Sequence, residues 1–133
     1  MFKNILFPID QSRETREAVS IVSNIVKTYN SQLFLLSVVE KSEGDNSSAM
    51  ADEERVGQLL AGAKELFIQE NIHAEIIERE GKASFIICDV ADEVEASLII
   101  MGCRGLGLTE EGAHDSVTNR VINLAPCPVL VVP

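Results

Sequence analysis

Three stretches of this 133-residue chain end in residues suited to holding an anionic ligand. One apolar run ends at Pro8-Ile9-Asp10 and a second at Val38-Val39. A third, Ser97 to Met101, runs straight into Gly102-Cys103-Arg104-Gly105 and a glycine-bearing loop that continues to Gly112. Glycine at a strand exit admits positive φ and lets backbone N–H groups approach a ligand closely. A helix beginning near Ser116 would turn the partial positive charge of its N-terminus toward the same place. These are the parts of a phosphate cradle, and Arg104 offers it a local cation in an otherwise acidic chain. The loop is neither the G-x-G-x-x-G that opens a first βαβ unit nor a P-loop, since no G-K-[ST] follows.

Catalytic constellations are absent from the sequence. A hydrolase needs a nucleophile and base, or a metal-bound water, in mutual reach, and the chain holds no H-E-x-x-H, no G-x-S-x-G and no carboxylate pair at a telling spacing. Asp10 also suits a cap of the first helix. Ser12 reads as a cap rather than a nucleophile, and His73, His114, Glu110 and Glu111 read as solvated. The cysteines, Cys88, Cys103 and Cys127, are odd in number and include no C-x-x-C pair, so no disulfide framework or zinc site is signalled and all are expected to be reduced. Cys103, beside Arg104, is the one placed to favour a thiolate.

The elements that must position these residues follow from hydrophobic periodicity. Residues 3 to 9 and Gln32 to Val39 are unbroken apolar runs, the pattern of strands covered on both faces. Between them Ala18, Ile21, Val22, Ile25 and Tyr29 recur at helical spacing. The polar run 40–50 reads as a long loop. After it, Val56, Leu59, Leu60, Ala63 and Phe67 mark a second helix from Asp52. Ile72 to Arg79 suits an edge strand closed by Gly81, and Ile86, Ile87, Val90, Ala91 and Val94 mark a third helix. Strand four, Ser97 to Met101, is followed by a short helix with Val117, Val121 and Leu124 on one face, and Val129 to Val132 is a last strand. The order βαβαβαβαβ requires crossover connections, hence one doubly wound α/β domain over 1–133, a five-stranded parallel sheet with helices on both faces. In such sheets ligands bind outside the carboxyl ends of the strands where the strand order reverses.

From ILFPIDQS through MGCRG to LAPCPVLVV the chain resembles the universal stress protein family over its whole length. Nucleotide-binding members carry G-x2-G-x9-G-[ST]. Here Gly102 and Gly105 are followed after nine residues by Asp115-Ser116, so aspartate stands where the third glycine belongs. The resemblance implies strand order 3-2-1-4-5 and dimerisation through the last strand. It implies an adenine-nucleotide site for ATP, ADP or AMP, with or without Mg²⁺. In that site Asp10 lies near the nucleotide, Val38 gives backbone contacts to the base, and Gly102, Gly105, Ser116 and Val117 line the ribose and phosphates.

With 11 Lys plus Arg against 21 Asp plus Glu, the net charge is −10, a sign that repels nucleic acid and anionic lipid. No apolar run approaches the ~20 residues of a membrane span, and the first residues lack a signal-peptide h-region, so a cytoplasmic location is expected. The leading expectation is a nucleotide-binding regulatory module. A dimeric interaction protein that has lost the nucleotide is the alternative, with Asp115 as its trace, and a slow ATP-hydrolysing enzyme has least support. The valines of a terminal edge strand would leave unpaired backbone exposed, which favours a homodimer through Val129 to Val132.

Overall fold

The computed structural model describes residues 1–9, 14–39, 46–102 and 117–132, without the side chains of 14–17 and 46–56. The elements are β1 (Asn4–Pro8), α1 (Glu14–Tyr29), β2 (Gln32–Val39), α2 (Asn46–Ile68), β3 (Glu75–Glu80), α3 (Ala83–Glu93), β4 (Leu98–Gly102), α4 (Val117–Leu124) and β5 (Val129–Val132). The strands form one parallel sheet in the order β3-β2-β1-β4-β5, with Leu6 beside both Phe34 and Ile99.

Every inner strand is dry on both faces. Ile5, Phe7 and Ile9 join Leu33, Leu35, Ile100 and the buried side of α1 and α2 in one cluster. Leu6 joins Phe34, Leu36, Ile99, Met101 and the buried side of α3 and α4 in the other. Residues alternate between the faces along each strand, so an unbroken apolar run fills two cores at once. Full burial of each such side chain contributes about 1.5–3 kcal/mol.

Several periodicity readings shift in detail. On α1 the buried line is Ala18, Val22, Ser23 and Val26, whereas Ile21 and Tyr29 are 40% and 44% exposed. Tyr29 instead meets the ring of Phe2 edge-on at 5.2 Å. The second helix begins at Asn46 rather than Asp52, inside the segment expected to be loop. Asn46-Ser47-Ser48 is good helix-start chemistry, and Ala49-Met50-Ala51 has high helix propensity. Ile72 belongs to the end of α2 and not to β3: its N–H reaches back to the Phe67 carbonyl at 2.9 Å past Asn71, whose φ is 61°. The ends of α1 and α3 repeat this closure, with Asn30 and Glu95 at positive φ and Ser31 and Ala96 bonding back to Val26 and Ala91. On β3, Ile77 turns to the α3 side of the core, while Ile76 is 46% exposed at the sheet edge. On α4 only Val121 is fully buried; Val117 and Leu124 are 38% and 51% exposed.

Below the sheet, Asn4 Nδ2 donates to the carbonyl of Val94 at 2.9 Å, satisfying the end of α3. Lys27 Nζ meets Glu70 Oε2 at 2.7 Å, joining the ends of α1 and α2 on the surface. No helix among the described residues is long and apolar enough to cross a membrane. Cys88 and Cys127 are free, half-buried thiols. Burial pushes both above their ordinary value; Asp89 adds to the shift at Cys88 and the Cys88 charge to that at Cys127.

Gly81 has φ +143°, and a Cβ there would meet Ile86 Cδ1 and Cγ1 at 3.0 Å, whereas Gly62 on α2 faces open space. Gly81→Ala is therefore expected to lose about 1–3 kcal/mol, and Gly62→Ala to gain up to about 1 kcal/mol, in urea unfolding. The thiols set a pH dependence. Folded protein holds protons that the unfolded chain releases near 9.0, so stability is level below that pH and falls as pH rises through the higher folded values. Denaturation at pH 8 and pH 10 is expected to show this fall, and the double substitution Cys88→Ser and Cys127→Ser to reduce it.

Candidate functional site at the carboxyl ends of the strands

The chain leaves β1 toward β2 on one side and returns past it to β4 on the other, so the strand order reverses between β1 and β4. Crossovers on opposite faces diverge there and leave a crevice at the carboxyl ends. Pro8 closes β1 and pairs with Leu36, and Ile9 carries the ladder one step further by donating its N–H to the Leu36 carbonyl at 2.8 Å. Two residues beyond the Leu6–Ile99 pair, Pro8 and Met101 stand at the same level.

The described candidate residues divide between the two faces. Val38 and Met101 pack on the α3–α4 side, and alternation puts Pro8 there with Leu6, whereas Ile9 packs with Val39 on the α1–α2 side. Met101 and Ile9 are each only 5% exposed, so their side chains are core and only their backbone is placed to meet a ligand. Val38, one residue from the end of β2, is half-buried. Gly102 ends β4 and is half-buried, and Val117 opens α4 with its side chain partly exposed. Pro8, Ile9, Val38, Met101, Gly102 and Val117 thus come together along one end of the sheet. Asp10, Arg104, Gly105, Asp115 and Ser116 lie outside the described residues.

One anchoring residue escapes the sequence reading. Thr118 Oγ1 donates to the Gly102 carbonyl at 3.3 Å, pinning the first turn of α4 to the end of β4. A hydroxyl in the first turn of a helix after a glycine loop is its only signal, and that signal is common. On the far side of the crevice the Gly81 N–H donates to the Val39 carbonyl at 3.0 Å, fixing the end of β2 beside the sharp turn into α3. Among the described residues, no group of three or more His, Cys, Asp or Glu side chains could hold a metal. The described part of the site offers a glycine exit and a helix start, which suit anion binding.

The family model for the universal stress proteins matches residues 1–133. The chain belongs to the universal stress protein family. Universal stress protein Sll1654 of Synechocystis sp. is 60% identical over 136 residues, spanning 100% of this chain and 87% of that protein. A universal stress protein solved in complex with cAMP superimposes with a TM-score of 0.83 at 20% identity, covering 98% of this chain and 97% of that one. The universal stress protein from Archaeoglobus fulgidus in complex with dAMP gives a TM-score of 0.73 at 19% identity, with 100% of both chains covered. At these identities the two structures establish the shared fold.

The Thr118 contact yields a prediction. Thr118→Val keeps the shape and removes the bond, and is expected to cost about 0.5–1.5 kcal/mol. Amide exchange in the first turn of α4 is expected to quicken, while that of β2 stays unchanged.

Proposed function

We propose that this protein is an adenine-nucleotide-binding regulatory module that holds its ligand at the carboxyl ends of β1, β2 and β4. The observation that carries this reading is the position of Gly102: it ends β4 at the reversal of strand order, level with the start of α4, within a chain that keeps Gly102, Gly105 and Ser116 of the family's nucleotide motif. Two proteins of the same fold were solved with cAMP and dAMP, which makes an adenosine monophosphate the ligand class to test first. Pro8, Ile9 and Asp10 border the ligand from β1, Val38 and Met101 from β2 and β4, and Gly102, Arg104, Gly105, Ser116 and Val117 surround its phosphate.

Asp115 sets the phosphate preference. Aspartate is among the best N-cap residues, and its carboxylate bonds the helix N–H groups a phosphate would use. Like charges 4 Å apart at an effective dielectric of 20 repel by about 4 kcal/mol, so each further phosphate charge makes binding harder. AMP and ADP are expected to bind at least as well as ATP. Equilibrium titration with AMP and ATP, with and without Mg²⁺, tests this. Saturable binding without turnover supports the regulatory reading, no binding supports the interaction protein, and steady turnover supports an enzyme. Asp115→Gly is expected to raise ATP affinity, most without Mg²⁺, and to cost about 1 kcal/mol of stability from the lost cap. Weaker Mg-ATP binding in that variant would instead place the aspartate at a metal.

The same reading includes a homodimer through β5. This strand is a sheet edge, Leu130 is 38% exposed, and Ile122 and Leu124 of the adjoining α4 are 50% and 51% exposed. Pairing β5 with its copy covers the unpaired edge. Sedimentation is expected to give a dimer at tens of micromolar and a monomer for Val131→Lys; a monomeric natural protein overturns the proposal.

A further inference from the structure

We propose that the outer edge of β3 is a docking site for an extended basic segment of a partner protein, which joins the sheet as a further strand. β3 ends the sheet, and among the described residues no strand pairs with its outer side. It is also a long edge, matched residue for residue with β2 from Glu75 to Glu80. The direction of its backbone groups follows from one bond: the Gly81 N–H turns inward to the Val39 carbonyl at 3.0 Å. These groups alternate in direction along a strand, so Ile77 and Arg79 also turn theirs inward, and Ile76, Glu78 and Glu80 turn theirs outward. The Glu78 carbonyl accordingly accepts from Arg79 Nη1, at 3.2 Å, rather than from a neighbouring strand. An open row of this kind is a ready template for another chain.

Charge selects the occupant. Three of the six residues of β3 are glutamate, all exposed, and its one cation, Arg79, is held by Glu93 of α3 at 3.4 Å. Ile76, 46% exposed, shares a face of the strand with Glu78 and Glu80. A second copy of this edge, paired antiparallel about Ile77 or about Glu78, would set Ile76 opposite a glutamate, and both chains would carry a net charge of −10. A segment with Lys or Arg at two alternate positions and an apolar residue at the next meets Glu80, Glu78 and Ile76 in turn when it runs antiparallel to β3. Cross-strand pairs of opposite charge and of apolar side chains each stabilise that register. Main-chain bonds supply the affinity of such an added strand, and the alternate side chains supply its selectivity. None of the candidate nucleotide-site residues lies on β3, so the two surfaces are distinct.

The test titrates the full-length protein with a short capped peptide in which threonine alternates with lysine, lysine and isoleucine, in that order, and follows amide exchange by NMR. Saturable binding is expected, with exchange at the outward Ile76 and Glu78 amides slowed about tenfold near saturation and that of Ile77 unchanged. Glu78→Lys should weaken binding about five- to tenfold, and a peptide with glutamate in place of lysine should not bind. Ile76→Pro removes one outward N–H while keeping every glutamate, and proline is tolerated at such a position of an edge strand. It should abolish binding, whereas Ile76→Thr, which keeps the N–H, should retain it. Binding that survives Ile76→Pro is ionic adsorption and overturns the proposal. So do equal binding of the glutamate peptide, no binding at all, or protection of the two amides by self-association without peptide. If Ile76→Pro fails to fold, protection of the two outward amides by the lysine peptide decides alone.

Discussion

A parallel strand with two apolar faces must be covered on both, and β1 is the strand on which that demand falls hardest. Ile5 and Leu6 are fully buried and Phe7 is 1% exposed, all three in consecutive positions that point alternately to opposite sides of the sheet. Parallel neighbours cannot be joined by a hairpin, so each must be reached through a helix, and right-handed crossovers place helices on one face when the chain moves one way and on the other when it reverses. The chain moves from β1 to β2 and β3 with α1 and α2 on one side, then jumps to β4 and β5 with α3 and α4 on the other. The crevice between β1 and β4 is thus a by-product of covering β1 twice.

The two ends of the sheet are built differently. At the amino ends of the strands, α1, α2 and α3 each stop on a non-glycine residue at positive φ, Asn30, Asn71 and Glu95, whose neighbour bonds back into the helix. Asn4 and Ser97 add side-chain bonds there, so the backbone groups freed at the helix ends find partners close by. The carboxyl end instead receives the glycine-rich connection, Pro8-Ile9 and the exit of β2. The helix closures are gathered at one end of the sheet and the candidate site lies at the other, a division common to sheets of this class.

What could be read from the sequence follows the same physics. The limits of β2 and the number and order of the elements were legible because an unbroken apolar run has one stable placement, between two layers. Ile21 and Tyr29 misled because helical spacing defines a face only to within about one residue, and the pleat of the sheet decided that Ser23 and Val26 would be inside. The start of α2 was hidden by serine and asparagine, which favour loops and helix starts alike. At the candidate site the strand exits were legible, as Pro8, Val38 and Gly102 show. Thr118 was not, because its importance depends on a carbonyl sixteen positions earlier in the chain that only the fold brings near.

The bond from Thr118 to Gly102 has a consequence for how the chain between them is free to differ among relatives. With one post fixed by the sheet and the other by α4, the two ends of the connection are held together. The entropy of closing such a loop grows only with the logarithm of its length, so doubling it would cost about 0.6 kcal/mol. A longer connection leaves both posts where they are, whereas a single added residue inside β1 would turn its apolar side chains to the wrong faces. The connection at the candidate site is therefore one whose length can drift while the architecture around it stays the same.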